Sequence, residues 1–198
     1  VAPGLAGDWF ARYTAALILG AACGGIALGW LGGRLGRARA MGVSILCYSL
    51  FGGAGMWATS QEQLLGLRFL AGLGVGGMWP NGVALVSECW AGATRPMVAG
   101  VIGTGLNIGI LCVSQLGRLR AVTPDSWRWL VALGFGSAVI GLFAVFLLPE
   151  SPKWLASRAA NPAATKTATP LRELFRPPLL RLTFVGIGLG AIPLIGAW

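Results

Sequence analysis

The stretch Pro149-Glu150-Ser151-Pro152-Lys153-Trp154-Leu155 follows directly on an apolar, charge-free run, Leu130–Leu148. At about 1.5 Å of helix rise per residue, a run of this length crosses the ~30 Å hydrocarbon core of a bilayer. An acid, a serine, a base and a Trp then fall together in one turn, as is typical of a helix that ends at a water boundary. The junction predicts a membrane-spanning helix that stops near Leu148.

The composition supports a membrane setting for the whole chain. Charged residues make up 11% of the 198 residues and hydrophobic residues 56%, with a mean hydropathy of +0.74. Soluble domains carry roughly 25% charged residues, so a soluble domain of this composition would have too little polar surface to face water. The net charge of +9 could indicate a nucleic-acid binder, but the bases lie between apolar runs. We therefore expect membrane lipid, and no nucleic acid, as the partner of these surfaces.

The sequence contains no pattern that is typical of a metal site or of a catalytic site. The four cysteines show no Cys-x-x-Cys spacing, and the chain contains no histidine to complete a zinc site. A membrane-embedded enzyme would need a cluster of His, Asp or Glu at a membrane face, and no such cluster occurs. We expect no metal, no cofactor and no catalytic residue, with the cysteines acting as small buried apolar side chains. They are Cys23, Cys47, Cys89 and Cys112.

The apolar stretches divide the chain into crossings with a definite orientation. They lie at about 11–31, 41–59, 64–87, 97–117 and 128–148, and a sixth begins at 182 and is still apolar at Trp198. Ten basic residues in the connections fall on one side of these crossings and four on the other. Cytoplasmic loops carry the excess of Lys and Arg, so the side with ten is predicted to be cytoplasmic. The fold class predicted is all-α, a polytopic transmembrane helical bundle.

Three domains follow from the same pattern. Residues 1–155 form a transmembrane bundle, residues 156–181 a polar cytoplasmic linker, and residues 182–198 the start of a further crossing. Glycines also recur four residues apart, a spacing that permits close helix–helix approach in lipid. These pairs are Gly20/Gly24, Gly25/Gly29, Gly72/Gly76, Gly105/Gly109 and Gly186/Gly190.

Charged residues at the cytoplasmic ends of the helices recur at fixed spacings. Gly29-x4-Arg34-x-Gly36-Arg37 lies between the first two crossings, and Glu88 is followed seven residues later by Arg95. With Glu150, these residues can form a salt-bridge cluster that stabilises one arrangement of the helices and breaks in another. We predict a cytoplasmic gate made of Arg34, Arg37, Glu88, Arg95 and Glu150. The positive-inside rule alone accounts for the arginines, but not for the spacing of the two acids.

Arg68 lies near the start of an apolar helix, before Gly72, Gly74 and Gly76. An arginine at mid-bilayer costs about 2.5–3.5 kcal/mol on insertion scales, so it needs an acidic partner or a water-filled cavity. Glu62 lies nearly two turns away, too far into the water. A role in proton coupling and a snorkelling interfacial base are both compatible with this position.

Together these motifs resemble the major facilitator superfamily, and its sugar-porter-like or metabolite:proton symporter-like members in particular. Pro149–Leu155 resembles the motif that closes the family's sixth helix, and Arg-x3-Gly-x-Gly-x-Gly from Arg68 resembles its fourth-helix motif. The Glu88–Arg95 spacing and the Arg34–Arg37 loop resemble its paired-charge and loop signatures. One position departs, because Gly33 stands where the loop signature has Asp. We expect the capping and pairing of that Asp to be absent or supplied elsewhere.

The resemblance implies a secondary active transporter of a small metabolite, proton-coupled through Arg68 and working by alternating access. It also implies that the chain is the N-terminal six-helix half of a twelve-helix protein, without the first helix and with the start of the seventh. The parent protein is expected to be a monomer, multi-pass in the plasma (inner) membrane. The alternatives are a complete six-helix protein, a truncated non-transporting half-protein, or a membrane receptor of the same fold.

Substrate contacts are expected from polar or aromatic groups at mid-membrane. The candidates are Trp79, Asn81, Thr104 and Asn107. Hydrogen bonding between helices is the alternative for both asparagines, and packing is the alternative for Trp79. Sugar porters commonly carry Gln eight residues after the Arg that begins the fifth helix, and here that position is Gly103. A hexose is therefore not supported, and an organic anion or another small metabolite is equally open.

Overall fold

The computed structural model describes residues 3–90, 94–120, 122–123, 126–160, 176–177 and 179–197. Every regular element in these residues is helical. The α-helices are α1 (Pro3–Leu35), α2 (Arg37–Ala54), α3 (Gln61–Cys89), α4 (Thr94–Leu119), α5 (Arg128–Ala132), α6 (Gly136–Phe146), α7 (Pro152–Ala160) and α8 (Leu179–Ala197). One 3-10 turn, Gly55–Trp57, extends α2, and another, Leu133–Phe135, joins α5 to α6.

Within the described residues, five stretches are long and apolar enough to cross a membrane. They are Gly7–Leu35, Arg37–Trp57, Gln61–Cys89, Gly100–Leu119 and Arg128–Phe146. They coincide with the first five predicted crossings. The sixth predicted crossing corresponds to α8, in which Leu179–Gly188 is a shorter apolar stretch.

Glycines let α1 and α3 pack along each other with their backbones in contact. A methyl group added at any of four glycines would collide with a backbone carbonyl of the opposite helix. They are two of the predicted pairs, Gly20/Gly24 on α1 and Gly72/Gly76 on α3. By contrast, a side chain at Gly105 or Gly109 on α4 would meet nothing within 4 Å. Only some of the predicted pairs therefore act as packing surfaces within this chain.

Helix α2 lies between α3 and α6. On one face, a Cβ at Gly74 of α3 would meet the Tyr48 amide. On the other, a Cβ at Gly42 would meet the Gly141 carbonyl at 2.9 Å. A hydrogen bond of 2.6 Å between the hydroxyls of Ser49 and Ser137 also joins α2 to α6. Small residues thus bring both neighbours of α2 close to its backbone.

The apolar run that ends near Leu148 forms one crossing, and a 3-10 turn interrupts its α-helical hydrogen bonds. Its 3-10 turn lies against α2, since a Cβ at Gly134 would be 3.3 Å from the Gly53 amide nitrogen. The Phe135 ring occupies the space beside Gly53 and contacts the Trp57 ring in a tilted arrangement, with an interplanar angle of 56° and a centroid distance of 5.5 Å. The tighter turn keeps the crossing against α2.

The chain divides into two compact units, residues 1–160 and 161–198. The first contains α1 to α7, and the second contains α8. Helix α7 continues to Ala160, so residues 156–160, at the start of the predicted linker, are helical. The rest of the predicted linker, residues 161–181, lies mostly outside the described residues.

Candidate functional site

Glu150 caps the N-terminus of α2. Its two carboxylate oxygens accept hydrogen bonds from the backbone amides of Ala38 (3.1 Å) and Arg39 (3.0 Å). The first turn of a helix has amides without partners and a partial positive charge, so a carboxylate is a favourable cap. Gly36 makes room for it: its φ is +109°, and a Cβ there would overlap the Glu150 carboxylate. The end of the α6 crossing is thereby tied to the start of α2.

Arg37 and Glu88 form an ion pair between α2 and α3. The Arg37 Nε donates to the Glu88 Oε1 at 3.1 Å, and the two side chains are 25% and 18% exposed. The other carboxylate oxygen of Glu88 is buried and accepts no hydrogen bond from the described residues. Arg95, the partner predicted for Glu88, lies in α4 with its side chain outside the described part of the chain, so that pairing stays a prediction.

Ser151 and Trp154 attach α7 to the end of α1. Ser151 is fully buried, and its hydroxyl accepts the Trp154 backbone amide at 3.2 Å, as an N-cap does before a proline in the first turn. The Trp154 indole donates to the Gly33 carbonyl at 3.0 Å. Sequence reasoning treated Trp154 as an interfacial residue and missed this bond. The Ser-Pro pair was the available signal, since it marks a helix start.

Arg34 stands apart from the ion pair. Its guanidinium lies over the Trp30 ring at 3.8 Å, and its Nε is buried without a hydrogen-bond partner in the described residues. Three residues of the predicted gate therefore form bonds to or from α2: Arg37 pairs with Glu88, and Glu150 accepts from the first turn of α2. Arg34 has no acidic partner among the residues described.

Arg68 lies at the opposite end of the bundle and lines an open cavity of about 380 Å³. Tyr48 and Leu64 line the same cavity, together with Val113 of α4 and Leu130 of α5. The Arg68 side chain is exposed, and within the described part of the chain it forms no ion pair. We expected Arg68 to need either an acidic partner or a water-filled cavity, and the structure shows a cavity beside it.

Asn81 is buried with 1% of its surface exposed. Its side-chain nitrogen donates to the Leu28 carbonyl of α1 at 3.0 Å and to the Gly77 carbonyl at 2.8 Å. Pro80 lies inside α3 directly before it, and the helix continues through both residues. The bond to Leu28 fits the alternative stated for this residue, in which Asn81 forms a hydrogen bond between helices. Contact between Asn81 and a substrate stays a prediction.

The other substrate candidates lie on open surface of α3 and α4. Trp79 is 51% exposed, and a Cβ at Gly103 would touch its ring at 4.0 Å. The Thr104 hydroxyl donates to the Val101 carbonyl at 2.7 Å, and the Asn107 side chain is exposed. Trp79 and the middle of α4 are thus adjacent, separate from the buried Asn81.

No group of three or more His, Cys, Asp or Glu side chains suitable for a metal occurs within the described residues. The four cysteines were expected to be buried, and this expectation is wrong for three of them. Cys47 is half-buried, and the other three are exposed on helix surfaces. An apolar helix face that contacts lipid is accessible in this way without facing water.

The family described as "Sugar (and other) transporter" matches residues 7–178. The inner membrane metabolite transport protein YgcS of Escherichia coli (strain K12) is 33% identical over 143 residues, 70% of this chain and 31% of that protein. The 4-hydroxybenzoate transporter PcaK of Pseudomonas aeruginosa is 30% identical over 165 residues, 80% of this chain and 37% of that protein. This chain spans about a third of the length of these curated relatives.

The fold is also that of a solved transporter. The proton:xylose symporter XylE of the major facilitator superfamily superposes with a TM-score of 0.72 at 18% identity, over 100% of this chain and 48% of XylE. The all-α, polytopic prediction is confirmed, and the chain is part of a multi-pass integral membrane protein. The chain belongs to the family described as "Sugar (and other) transporter", and its fold is that of a sugar-porter-like transporter of the major facilitator superfamily.

Proposed function

We propose that the protein is a proton-coupled secondary transporter of a small metabolite that works by alternating access, as a monomer in the plasma (inner) membrane. The observation that carries the proposal is the bonding at the cytoplasmic end of the bundle. There Glu150 caps α2 and Arg37 pairs with Glu88 of α3. A transporter of this kind needs a bundle that moves as one body and charged contacts that can form and break.

The cap and the ion pair supply the first requirement. Hydrogen bonds to a charged group are worth about 1.5–3 kcal/mol each, and a partly exposed ion pair contributes on the order of 1 kcal/mol or less. They join α2 to α3 and to the end of α6, so these helices move together. Arg34 and the Glu88 oxygen that has no partner among the described residues supply the second requirement, as groups ready to bind a charged partner when the gate closes.

Arg68 supplies the proton coupling in this proposal. A guanidinium keeps its proton at every accessible pH, so it cannot carry the transported proton itself. It can hold a nearby carboxylate in its ionised form, and protonation of that carboxylate then breaks the pair. The cavity beside Arg68 gives the guanidinium room for such a partner.

The substrate surface is placed on Trp79, Thr104 and Asn107, which lie on the open faces of α3 and α4. Asn81 holds α3 against α1 and positions that surface. Gly103 lacks the amide that sugar porters commonly use for a hexose. A small organic acid, such as the 4-hydroxybenzoate carried by the relative PcaK, is therefore tested beside a sugar such as the xylose of XylE.

The test uses the purified protein in proteoliposomes with an imposed proton gradient, acid outside. Labelled 4-hydroxybenzoate and xylose are supplied separately. Accumulation of either above its external concentration, abolished by a protonophore, is the expected result. Uptake that stops at equal concentrations with the gradient intact would reject proton coupling.

A matched pair of variants locates the coupling. Arg68→Ala should abolish accumulation while the protein still inserts and exchanges substrate across the membrane. Arg120→Ala, which removes an exposed arginine stacked on Trp129 at 5.2 Å, is the control and should accumulate normally. Normal accumulation by Arg68→Ala would remove Arg68 from the mechanism.

A further inference from the structure

Two arginines at the cytoplasmic end of the bundle are each stacked on a Trp and linked to each other. Arg34 lies over Trp30 at 3.8 Å, and Arg158 lies over Trp154 at 4.9 Å. The Arg158 Nη1 approaches the Arg34 carbonyl oxygen at 3.4 Å. These four residues, here called the Arg–Trp cluster, form one surface made by the end of α1 and by α7.

The cluster has two positive charges and no acid to balance them in the described residues. The acids nearest in the fold are already bound, since Glu88 pairs with Arg37 and Glu150 caps α2. The Nε of Arg34 is buried and donates to no described acceptor. Burying an N–H of a charged group without an acceptor is costly, so the described residues leave the charge of Arg34 incompletely compensated.

The position of the cluster favours a lipid as that partner. Trp30 lies where an apolar crossing meets the predicted cytoplasmic side, the depth at which Trp rings contact headgroups, and Trp154 is buried beneath Arg158. Trp30 is 45% exposed, so the cluster is accessible from the surface of the bundle. The cytoplasmic leaflet carries the anionic lipids, and basic pockets beside helices on that side bind their phosphates. A guanidinium binds a phosphate through two parallel hydrogen bonds.

We propose that the Arg–Trp cluster binds the phosphate of an anionic phospholipid headgroup from the cytoplasmic leaflet. The phosphate bridges Arg34 and Arg158 and so holds α7 against the end of α1. The bound lipid then fixes the point at which the chain leaves the membrane for the linker. This site is separate from Arg68 and from the open face with Trp79.

The test measures lipid binding by the whole purified protein in detergent, without a transport assay. Native mass spectrometry gives the affinities for phosphatidylglycerol and for zwitterionic phosphatidylcholine of the same acyl chains. Each basic residue near an anionic headgroup contributes about 1 kcal/mol, so Arg158→Gln should weaken phosphatidylglycerol binding about fivefold. The double variant Arg34→Gln/Arg158→Gln should weaken it ~25-fold. Phosphatidylcholine binding should change little.

Arg120→Gln is the matched control, because it removes an arginine stacked on Trp129 at the other end of the bundle. The proposal is overturned if Arg158→Gln and Arg120→Gln weaken phosphatidylglycerol binding equally, or if both lipids bind equally well. Displacement of phosphatidylglycerol by millimolar inorganic phosphate would also reject a lipid site in favour of a site for free anions. Arg158 is exposed, so its variant should fold even if the double variant does not.

Discussion

The replacement of Gly36 by alanine tests the cap of α2 most directly. Gly36 has φ +109° and ψ 156°, a backbone conformation that is open almost only to glycine. It is also the one described residue with a positive φ. A Cβ there would overlap the carbon and both oxygens of the Glu150 carboxylate. Alanine therefore strains the backbone and displaces the cap in a single change.

The magnitude follows from these two effects. A residue held in a sparsely populated conformation costs about 1–3 kcal/mol. Displacing the carboxylate removes at least one charge-assisted hydrogen bond to Ala38 or Arg39, worth about 1.5–3 kcal/mol. The expected loss of stability is the sum, about 2.5–6 kcal/mol. That is a large fraction of the 5–15 kcal/mol by which a domain is usually stable.

The assay is the thermal stability of the whole protein in detergent, followed as the fraction that remains monodisperse after heating. Gly33→Ala is the matched control, because Gly33 lies in helix α1 three residues earlier and a Cβ there meets nothing within 4 Å. Alanine should stabilise that helical position by about 0.5–1 kcal/mol. Equal melting temperatures for Gly36→Ala and Gly33→Ala would refute the reasoning.

A double-mutant cycle separates strain from capping. With Glu150→Ala already present, no carboxylate remains for the new methyl group to displace. Gly36→Ala should then cost only the backbone contribution of about 1–3 kcal/mol. If Gly36→Ala costs the same with and without Glu150, the two residues do not act together.

Three further predictions concern the contacts between helices. Asn81→Ala should lower the free energy of unfolding by about 1–3 kcal/mol, because the Leu28 carbonyl of α1 and the Gly77 carbonyl of α3 each lose a donor, and an unchanged melting temperature would contradict this. Reversing Arg37 and Glu88 together should restore part of the transport that either single reversal removes, whereas purely additive losses would mean that they do not act as a pair. Gly76→Leu should prevent recovery of monodisperse protein, because its side chain would occupy the backbone of α1, and Gly109→Leu should be tolerated. Equal yields of these two glycine variants would show that close approach of α1 and α3 is not required.

The crossings were predictable from the sequence because lipid imposes a length and a polarity on each of them. The predicted stretch 64–87 lies inside α3, Gln61–Cys89, and the stretch that stops near Leu148 corresponds to a helix that ends at Phe146. The 3-10 turn at Leu133–Phe135 was not predicted, since nothing in an apolar run shows that Gly53 approaches it. Local pattern determines where a helix crosses, and tertiary contact determines how it bends.

Glycine spacing was informative about close packing but not about which faces pack. Gly72/Gly76 and Gly105/Gly109 have the same spacing, yet only the first pair touches another backbone in the described chain. The difference depends on the neighbour that each helix meets, and helix-helix order is not encoded in the period of one helix. The same limit applies to Arg68, whose cavity is formed by side chains from four helices.

The charged residues at the predicted cytoplasmic end show the same limit of prediction from sequence. Spacing in the sequence pairs Glu88 with Arg95, seven residues away, whereas the contact that the structure describes is with Arg37, which is 51 residues away. A pair between separate helices cannot be derived from spacing along one segment. The buried Ser151 hydroxyl, by contrast, could have been predicted as a helix cap from the proline that follows it.

The cap of α2 comes from an acid in another part of the chain. Gly33 stands where the family's loop signature has Asp, and we expected the capping role of that Asp to be absent or supplied elsewhere. Glu150 supplies the cap of α2 from the end of the α6 crossing, through bonds to Ala38 and Arg39. Gly36 permits this, because its missing side chain leaves the space that the carboxylate occupies.

The origin of this cap has a mechanical consequence. Glu150 joins the second helix of this bundle to the end of the α6 crossing, and the Trp154 indole joins the following helix to the Gly33 carbonyl. The stretch Pro149–Leu155, which marks the end of a crossing in the sequence, therefore also joins the ends of α1 and α2 to the end of the α6 crossing. In the alternating-access mechanism proposed above, these bonds would let the three helices move as one body.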